Sequence, residues 1–303
     1  MTKLSVLQQK MADFAMKCDY KCNESMSRHT SFRIGGDAEI MAFPKSREDL
    51  AEILRVAAEL DVRPAILGAG TNVLAPDEGL EGIVICLKDC LDGMVQLDDT
   101  RIQVMAGVTM TRAAVFAANL GLGGLEFAHG IPGTVGGGVY MNAGAYGGEI
   151  KDVAECVEIM DYSGNIRVLT NEEMEFSYRH SAMETMDAIV LSTTFALNKA
   201  EPEAVRETMR QLQAKRSASQ PLDLPSAGSA FKRPVGGYAA AMIDQAGLKG
   251  YRVGGAAIST KHAGFAVNLG GATAADVKAL LQQVSDLVYE KNGIRLEPEV
   301  RIW

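Results

Sequence analysis

The sequence predicts an α+β protein made of two small α/β units followed by an α+β unit. Three observations predict it. The first ninety or so residues run strand–helix–strand, with a helical apolar period set between two apolar runs. The stretch to about residue 200 repeats that order and closes with a hairpin and a strong β run. From Ser217 the composition shifts to Ser, Pro and Gly, then to short strands and a long amphipathic helix. The expected boundaries are 1–88, 89–200 and 201–303, with a C-terminal strand that returns toward the rest of the chain.

The elements follow in order. Leu7, Met11, Phe14 and Ala15 give the N-terminus one apolar side and predict a helix. "SFRIGGDAEIMAFPKS" is extended and ends at Pro44. Ser46 is an N-cap for "REDLAEILRVAAELDV", where Leu50, Ile53, Leu54 and Ala57 recur at helical spacing. "RPAILGAGTNVLA" reads as a strand running into a glycine turn, and "GIVICL" as another short strand. The second unit opens with "RIQVMAG" and the helix "TMTRAAVFAANLGL". It continues through "VAECVEIMDYSG" and "NIRVLT", a hairpin turning at Ser163-Gly164-Asn165, and ends with "AIVLSTTFAL". "EPEAVRETMRQLQAKR" is a connecting helix. "SASQPLDLPSAGSAFKRPVGG" should be irregular; "YAAAMIDQAGL" is helical, and "AAIST" and "AVNLG" are strands. A final helix starts at the N-cap Thr273, with Val277, Leu280, Leu281, Val284, Leu287 and Val288 on one face.

Composition excludes several classes of function. A formal net charge of −8 argues against general nucleic-acid binding, which needs a basic surface. No stretch reaches the ~20 apolar residues of a membrane span, and the N-terminus is too polar for a signal peptide. Five cysteines (Cys18, Cys22, Cys86, Cys90 and Cys156), an odd number without a secretory signal, point to reduced thiols in the cytoplasm. The two close pairs have three intervening residues and no histidine nearby in sequence, so no metal site is expected.

Two segments offer bare backbone. "LGAGTNVL" places Gly68, Ala69, Gly70, Thr71 and Asn72 directly after a strand. "GIPGTVGGGVYMNAGAYGGE" (130–149) has so many glycines that neither helix nor strand is expected to persist there. Successive N–H groups in tight glycine turns form concave anion sites suited to a pyrophosphate. Neither segment is a Rossmann fingerprint or a Walker loop, and either alone is equally consistent with plain turn chemistry.

Together they are more specific. "GAGTN" with Gly130, Ile131, Pro132, Gly133, Thr134, Gly136 and Gly137, then Asn142 and Gly144, resembles the FAD-binding half of the UDP-N-acetylenolpyruvoylglucosamine reductase family. "TSFRIGG" (30–36), "FSYRHS" (176–181), "SAGSAFKRP" (226–234), "IDQAGLKG" (243–250) and "LEPEVRIW" (296–303) match the same family in order, from about residue 27 onward. The resemblance implies a vanillyl-alcohol-oxidase-like (PCMH-type) FAD-binding fold. Residues 1–88 and 89–200 would be its two FAD-binding subdomains and 201–303 its substrate-binding domain. It implies FAD as cofactor, NADPH as co-substrate, and reduction of UDP-N-acetylglucosamine enolpyruvate to UDP-N-acetylmuramate for the peptidoglycan of the bacterial cell wall. Hydride would pass from flavin N5 to C3 and a proton to C2.

Carried onto this chain, the family's motifs imply Ser229 as proton donor to C2 and Arg179 as partner of the substrate carboxylate, using a geometry that only arginine supplies. They imply Glu299 as support for the developing charge, with Val300, Ile302 and Trp303 raising its pKa by desolvation. Glu297 is a close competitor, set aside because the pattern keeps the glutamate directly before Val-Arg. Gly107 and Arg301 would join the cofactor contacts; Tyr146, Tyr178, Lys215, Lys232 and His262 would face the UDP-sugar. His262 suits a structural role equally well, and His129 stands out only by position. The interval from Arg179 to Ser229 leaves no room for the tyrosine-bearing lid loop of some members, so the chain resembles the shorter class. A monomer or weak dimer is expected. The alternatives are another FAD-dependent oxidoreductase of the same fold, or a nucleotide-sugar-binding relative without turnover.

Overall fold

A computed structural model describes residues 18–303; the predicted N-terminal helix with Leu7, Met11, Phe14 and Ala15 lies outside them. The chain forms two compact units. One comprises residues up to Asn23 with Glu39–Ala69 and Glu81–Lys215; the other comprises Glu24–Ala38, Gly70–Leu80 and Arg216–Trp303.

The first unit contains two sheets. In the four-stranded sheet the order is Asp19–Ser25, Asp37–Phe43, Leu80–Cys86, Ala65–Leu67, the last pair parallel. The helix Arg47–Glu59 covers it, capped as predicted: the Ser46 hydroxyl accepts from the Asp49 N–H at 3.0 Å. Leu50, Ile53, Leu54 and Ala57 are all buried. The five-stranded sheet is antiparallel throughout, in the order Ile166–Thr170, Ala154–Asp161, Ala188–Ala196, Arg101–Met105, Met94–Gln96. Its central strand, Ala188–Ala196, is buried on both faces from Ile189 to Phe195, with the polar Ser192, Thr193 and Thr194 among the buried residues. The hairpin turns where expected, with Gly164 at φ 87°.

Met160, Ile189 and Leu191 pack into the same core as Ile40, Leu50 and Ile53, so the two sheets share apolar contacts. A polar tie adds to this. Arg47, the first residue of its helix, holds Glu158 through both guanidinium nitrogens, Nη1 at 2.7 Å and Nη2 at 2.5 Å. A cation at a helix N-terminus opposes the macrodipole, and the bidentate carboxylate offsets that cost.

One expectation is corrected here. The glycine segment 130–149 does form regular structure: a short helix, Val135–Tyr140, and a hairpin of Gly144–Ala145 with Gly148–Glu149. Tertiary packing overrides the poor propensity of glycine. A Cβ on Gly136 would stand 2.9 Å from the Ala106 Cβ, and one on Gly138 would stand 2.9 Å from the Met110 sulfur. At Gly136 and Gly138 the helix lies so close to its neighbours that a Cβ would clash.

The second unit is a four-stranded antiparallel sheet, Ser226–Ser229, Phe265–Asn268, Ala256–Ile258, Arg252–Val253. The helix Ala274–Asn292 packs on it through Val277, Leu280, Leu281, Val284 and Val288, with Leu287 at the margin. Phe32 and Ile34 belong to this core, and Asn268 Nδ2 donates to the Phe32 carbonyl at 3.0 Å. The segment 217–237 is less irregular than expected. Ser217–Ser219 extend the preceding helix, Pro202–Ser219, and Ser226–Ser229 pair with the strand Phe265–Asn268. Arg301–Ile302 pair in parallel with Val73–Leu74.

Thr273 caps the long helix in a reciprocal box with Asp276. Asp77 adds a second cap that no local pattern revealed, accepting from the N–H groups of Ala274 and Ala275 at 2.7 and 3.0 Å. Asp77→Ala should therefore cost about 1–2 kcal/mol, the upper range for a lost helix cap. Urea denaturation checks this: an unchanged midpoint would mean that the Thr273 box suffices.

Candidate active site

The predicted site residues fall in both units. In the first unit the two glycine segments meet. A Cβ on Gly68 would lie 2.5 Å from the Thr134 hydroxyl, which itself caps the short helix by accepting from the Gly137 N–H at 3.4 Å. The first N–H groups of that helix are used within the protein: Val135 donates to Val108 O and Gly136 to Ala106 O. By contrast, the N–H groups of Gly68, Ala69, Gly133 and Thr134 donate to no other backbone or side-chain group among the described residues. Gly137 is exposed, and a Cβ there would meet only the Thr134 hydroxyl, at 3.6 Å. Undirected donors beside an open glycine surface suit the anionic pyrophosphate of FAD.

Other glycines in the predicted set serve the protein's own packing. Gly107 leaves no room for a Cβ, which would sit 2.2 Å from the Leu87 carbonyl, and at Gly144 it would sit 2.6 Å from the Gly148 carbonyl. Gly130 and Gly133 have φ of 80° and 129°, conformations that favour glycine.

Arg179 stands in a two-residue turn closed by reciprocal bonds between Ser177 and His180, at 3.1 and 3.2 Å. It is held at φ 56°, a region that non-glycine residues rarely occupy, and Asn142 and Tyr146 are also left-handed, at 40° and 55°. Such outliers collect at functional sites because surrounding structure must enforce them. Arg179 Nη2 donates to the Gly144 carbonyl at 3.3 Å, and its guanidinium lies 5.0 Å from the Tyr178 ring centroid. Tyr146 and Tyr178 are both exposed. Asn142, expected among the cofactor contacts, has a fully buried side chain that bonds to Glu149, Ser177 and Lys151. Lys215 is exposed near the end of its helix.

In the second unit Gly70, Asn72, Ser229, Glu299 and Arg301 come together. Gly70 packs its backbone on His29 and Thr30. The amides of Gly70 and Asn72, like those of Gly68 and Ala69 before them, donate to no described partner. Asn72 Nδ2 donates to the Glu299 carbonyl at 3.2 Å, and the Arg301 N–H donates to the Asn72 carbonyl at 2.9 Å. The Glu299 N–H donates to Ala230 O at 2.9 Å, which sets Glu299 beside the residue that follows Ser229. Ser229 is exposed, after Gly228 at φ 77°. Glu297, the competing carboxylate, is 71% exposed and paired with Lys232 Nζ at 2.6 Å, whereas Glu299 is half-buried.

His262 accepts the Gly264 N–H on Nδ1 at 3.1 Å and meets the Phe265 ring edge-on. Burial pushes its pKa below the usual histidine value, because the charged form is desolvated there. Sequence reasoning missed Ser31, whose hydroxyl donates to Ser226 O at 2.6 Å, and Glu149, Ser177 and Ser181. Ser31, Ser177 and Ser181 lie inside the recognised motifs, but nothing local distinguished their roles. Among the described residues no cluster of His, Cys, Asp or Glu could hold a metal, and no helix is long and apolar enough to cross a membrane.

Residues 220–303 match the family described as UDP-N-acetylenolpyruvoylglucosamine reductase, C-terminal domain, and residues 38–170 match the family described as FAD binding domain. A reductase of that name from Caldanaerobacter subterraneus subsp. tengcongensis is 43% identical, with 98% of each chain covered. One from Lactobacillus delbrueckii subsp. bulgaricus is 44% identical over 95% of this chain and 96% of the relative. This chain belongs to the UDP-N-acetylenolpyruvoylglucosamine reductase family. The crystal structure of the Thermus caldophilus reductase superposes with a TM-score of 0.80 at 36% identity, covering 95% of this chain and 99% of that one. The reductase thus has the PCMH-type FAD-binding fold expected from its sequence, and it is an FAD-dependent oxidoreductase. The alternatives, another flavin enzyme of this fold or a relative without turnover, are not favoured.

Proposed function

We propose that this reductase uses NADPH to convert UDP-N-acetylglucosamine enolpyruvate to UDP-N-acetylmuramate in the cytoplasm, as a step in peptidoglycan precursor synthesis that supports cell shape and division. It acts as a monomer or weak dimer, with residues up to about 200 forming the FAD-binding subdomains and those beyond the substrate-binding domain. NADPH is oxidised to NADP⁺, while the enolpyruvyl double bond gains a hydride at C3 and a proton at C2. When bound, FAD supplies the hydride-carrier chemistry between the two. The amides of Gly68, Ala69, Gly70, Asn72, Gly133 and Thr134 would hold its pyrophosphate, and Arg301 would lie against the flavin.

Reduction leaves carbanion character at C2, conjugated to a carboxylate. Arg179 holds that carboxylate and lowers the cost of the developing charge. Ser229 Oγ delivers the proton to C2, which a serine hydroxyl can do only toward a strongly basic centre. Glu299 supports the transfer from the adjoining strand, and Tyr146, Tyr178, Lys215, Lys232 and His262 hold the UDP-sugar. One juxtaposition supports this assignment above the others: Glu299, bonded through its N–H to Ala230, stands beside exposed Ser229 and is tied to the glycine loop by Asn72.

Anaerobic mixing tests it. NADPH should bleach the flavin faster than NADH does, and the enolpyruvyl substrate should then restore the oxidised spectrum. In D₂O the product should carry deuterium at C2. A flavin that NADPH leaves oxidised, or a product unlabelled at C2, would overturn the assignment.

A further inference from the structure

Asn142 lies just past the end of the glycine helix, Val135–Tyr140. Its side chain is fully buried and makes three bonds within the first unit. Nδ2 donates to Glu149 Oε2 at 2.9 Å and to the Ser177 carbonyl at 2.9 Å, while Oδ1 accepts from the Lys151 N–H at 3.0 Å. Both amide hydrogens are committed, so none is left for a ligand. The backbone of Asn142 is left-handed, at φ 40°, a conformation that asparagine tolerates better than most residues.

Those bonds hold a turn. Ser177 opens the two-residue turn that presents Tyr178 and Arg179, and Ser177 and His180 close it. A second tie holds the far side of the turn: Ser181 Oγ donates to the carbonyl of Tyr140, the last residue of the glycine helix. Glu149 is fixed in turn by its own 2.8 Å bond to Asp152 and by pairing with Gly144, whose carbonyl receives Arg179 Nη2. The turn is thereby suspended from the C-terminal end of the glycine helix, on one side by Asn142 and on the other by Ser181.

We propose that Asn142 is a positioning residue: it fixes the Ser177–His180 turn and so aims the Arg179 guanidinium, and it touches neither cofactor nor substrate. This rests on the role given above to Arg179. The alternative is the direct cofactor contact expected from sequence.

Asn142→Gly is the suitable variant, because glycine accepts the left-handed backbone while removing all three side-chain bonds. Three measurements on the FAD-loaded enzyme decide the matter. Hydrogen exchange should quicken at Ser177 and His180 and stay unchanged in the glycine helix. FAD affinity, read from flavin fluorescence, should be unaltered. Turnover should fall roughly 10- to 100-fold, as expected for a misplaced charged group. In an Arg179→Ala background the same change should add nothing further, since the two residues act through one path. Unchanged exchange at Ser177 and His180, weakened FAD binding, or an additive loss in the double variant would each overturn the proposal. Near-normal turnover of Arg179→Ala alone would remove Arg179 from the chemistry. Exchange at the turn would still decide whether Asn142 positions it.

Discussion

Ser229→Ala is expected to lower turnover by roughly 10²–10⁴-fold, the scale for losing a positioned general acid, while the protein stays folded and yellow. The side chain is exposed at the end of a short strand, so truncating one hydroxyl disturbs no core contact. Its neighbours Ala230 and Phe231 are buried and hold the strand in place without it. Single-turnover measurement separates the two half-reactions. NADPH oxidation should keep its rate, and only reoxidation by the enolpyruvyl substrate should slow. If reoxidation stays near normal, the proton on C2 comes from another group, and Glu299 becomes the first to test.

The largest effect on stability and cofactor retention is expected at Gly70. Its φ is 62°, and a Cβ would fall 2.0 Å from the His29 carbonyl oxygen and 2.9 Å from the Thr30 Cα. Both are backbone atoms, so no side chain can swing aside. Gly70→Ala should cost about 1–3 kcal/mol from overpacking and about 1 kcal/mol from the left-handed backbone. The displaced loop should also lose FAD. Gly293 makes a matched control: its φ is 67°, and nothing lies within 4 Å of its Cβ position. Gly293→Ala therefore carries the backbone cost alone. The comparison needs only thermal midpoints and the flavin content of the two purified variants. Equal midpoints would show that close approach at Gly70 is not what requires glycine.

The two glycine segments show how far the sequence was legible. Their density correctly signalled that backbone comes close to something, and their order along the chain pointed to FAD. It did not distinguish closeness to a ligand from closeness to the protein. Gly136 and Gly138 are small because Ala106 and Met110 press against them, which lets a six-residue helix form where none was expected. Asn142 belongs to the same motif, yet its side chain turns inward. A motif records that a residue type is needed and is silent on the direction its side chain takes.

The caps Ser46 and Thr273, the apolar stripe from Val277 to Val288 and the turn at Gly164 were determined by sequence alone. Each rests on contacts within a few residues, where spacing dictates geometry. Family, fold class and cofactor were determined in the same way, through motifs in a fixed order. Tertiary structure alone decided which distant segments meet: Asn72 with Glu299, 227 residues apart, Arg301 beside Val73, and Asp77 on the helix that starts after Thr273. Such pairings depend on how close two remote segments can approach, a property of the folded pair that neither segment holds by itself.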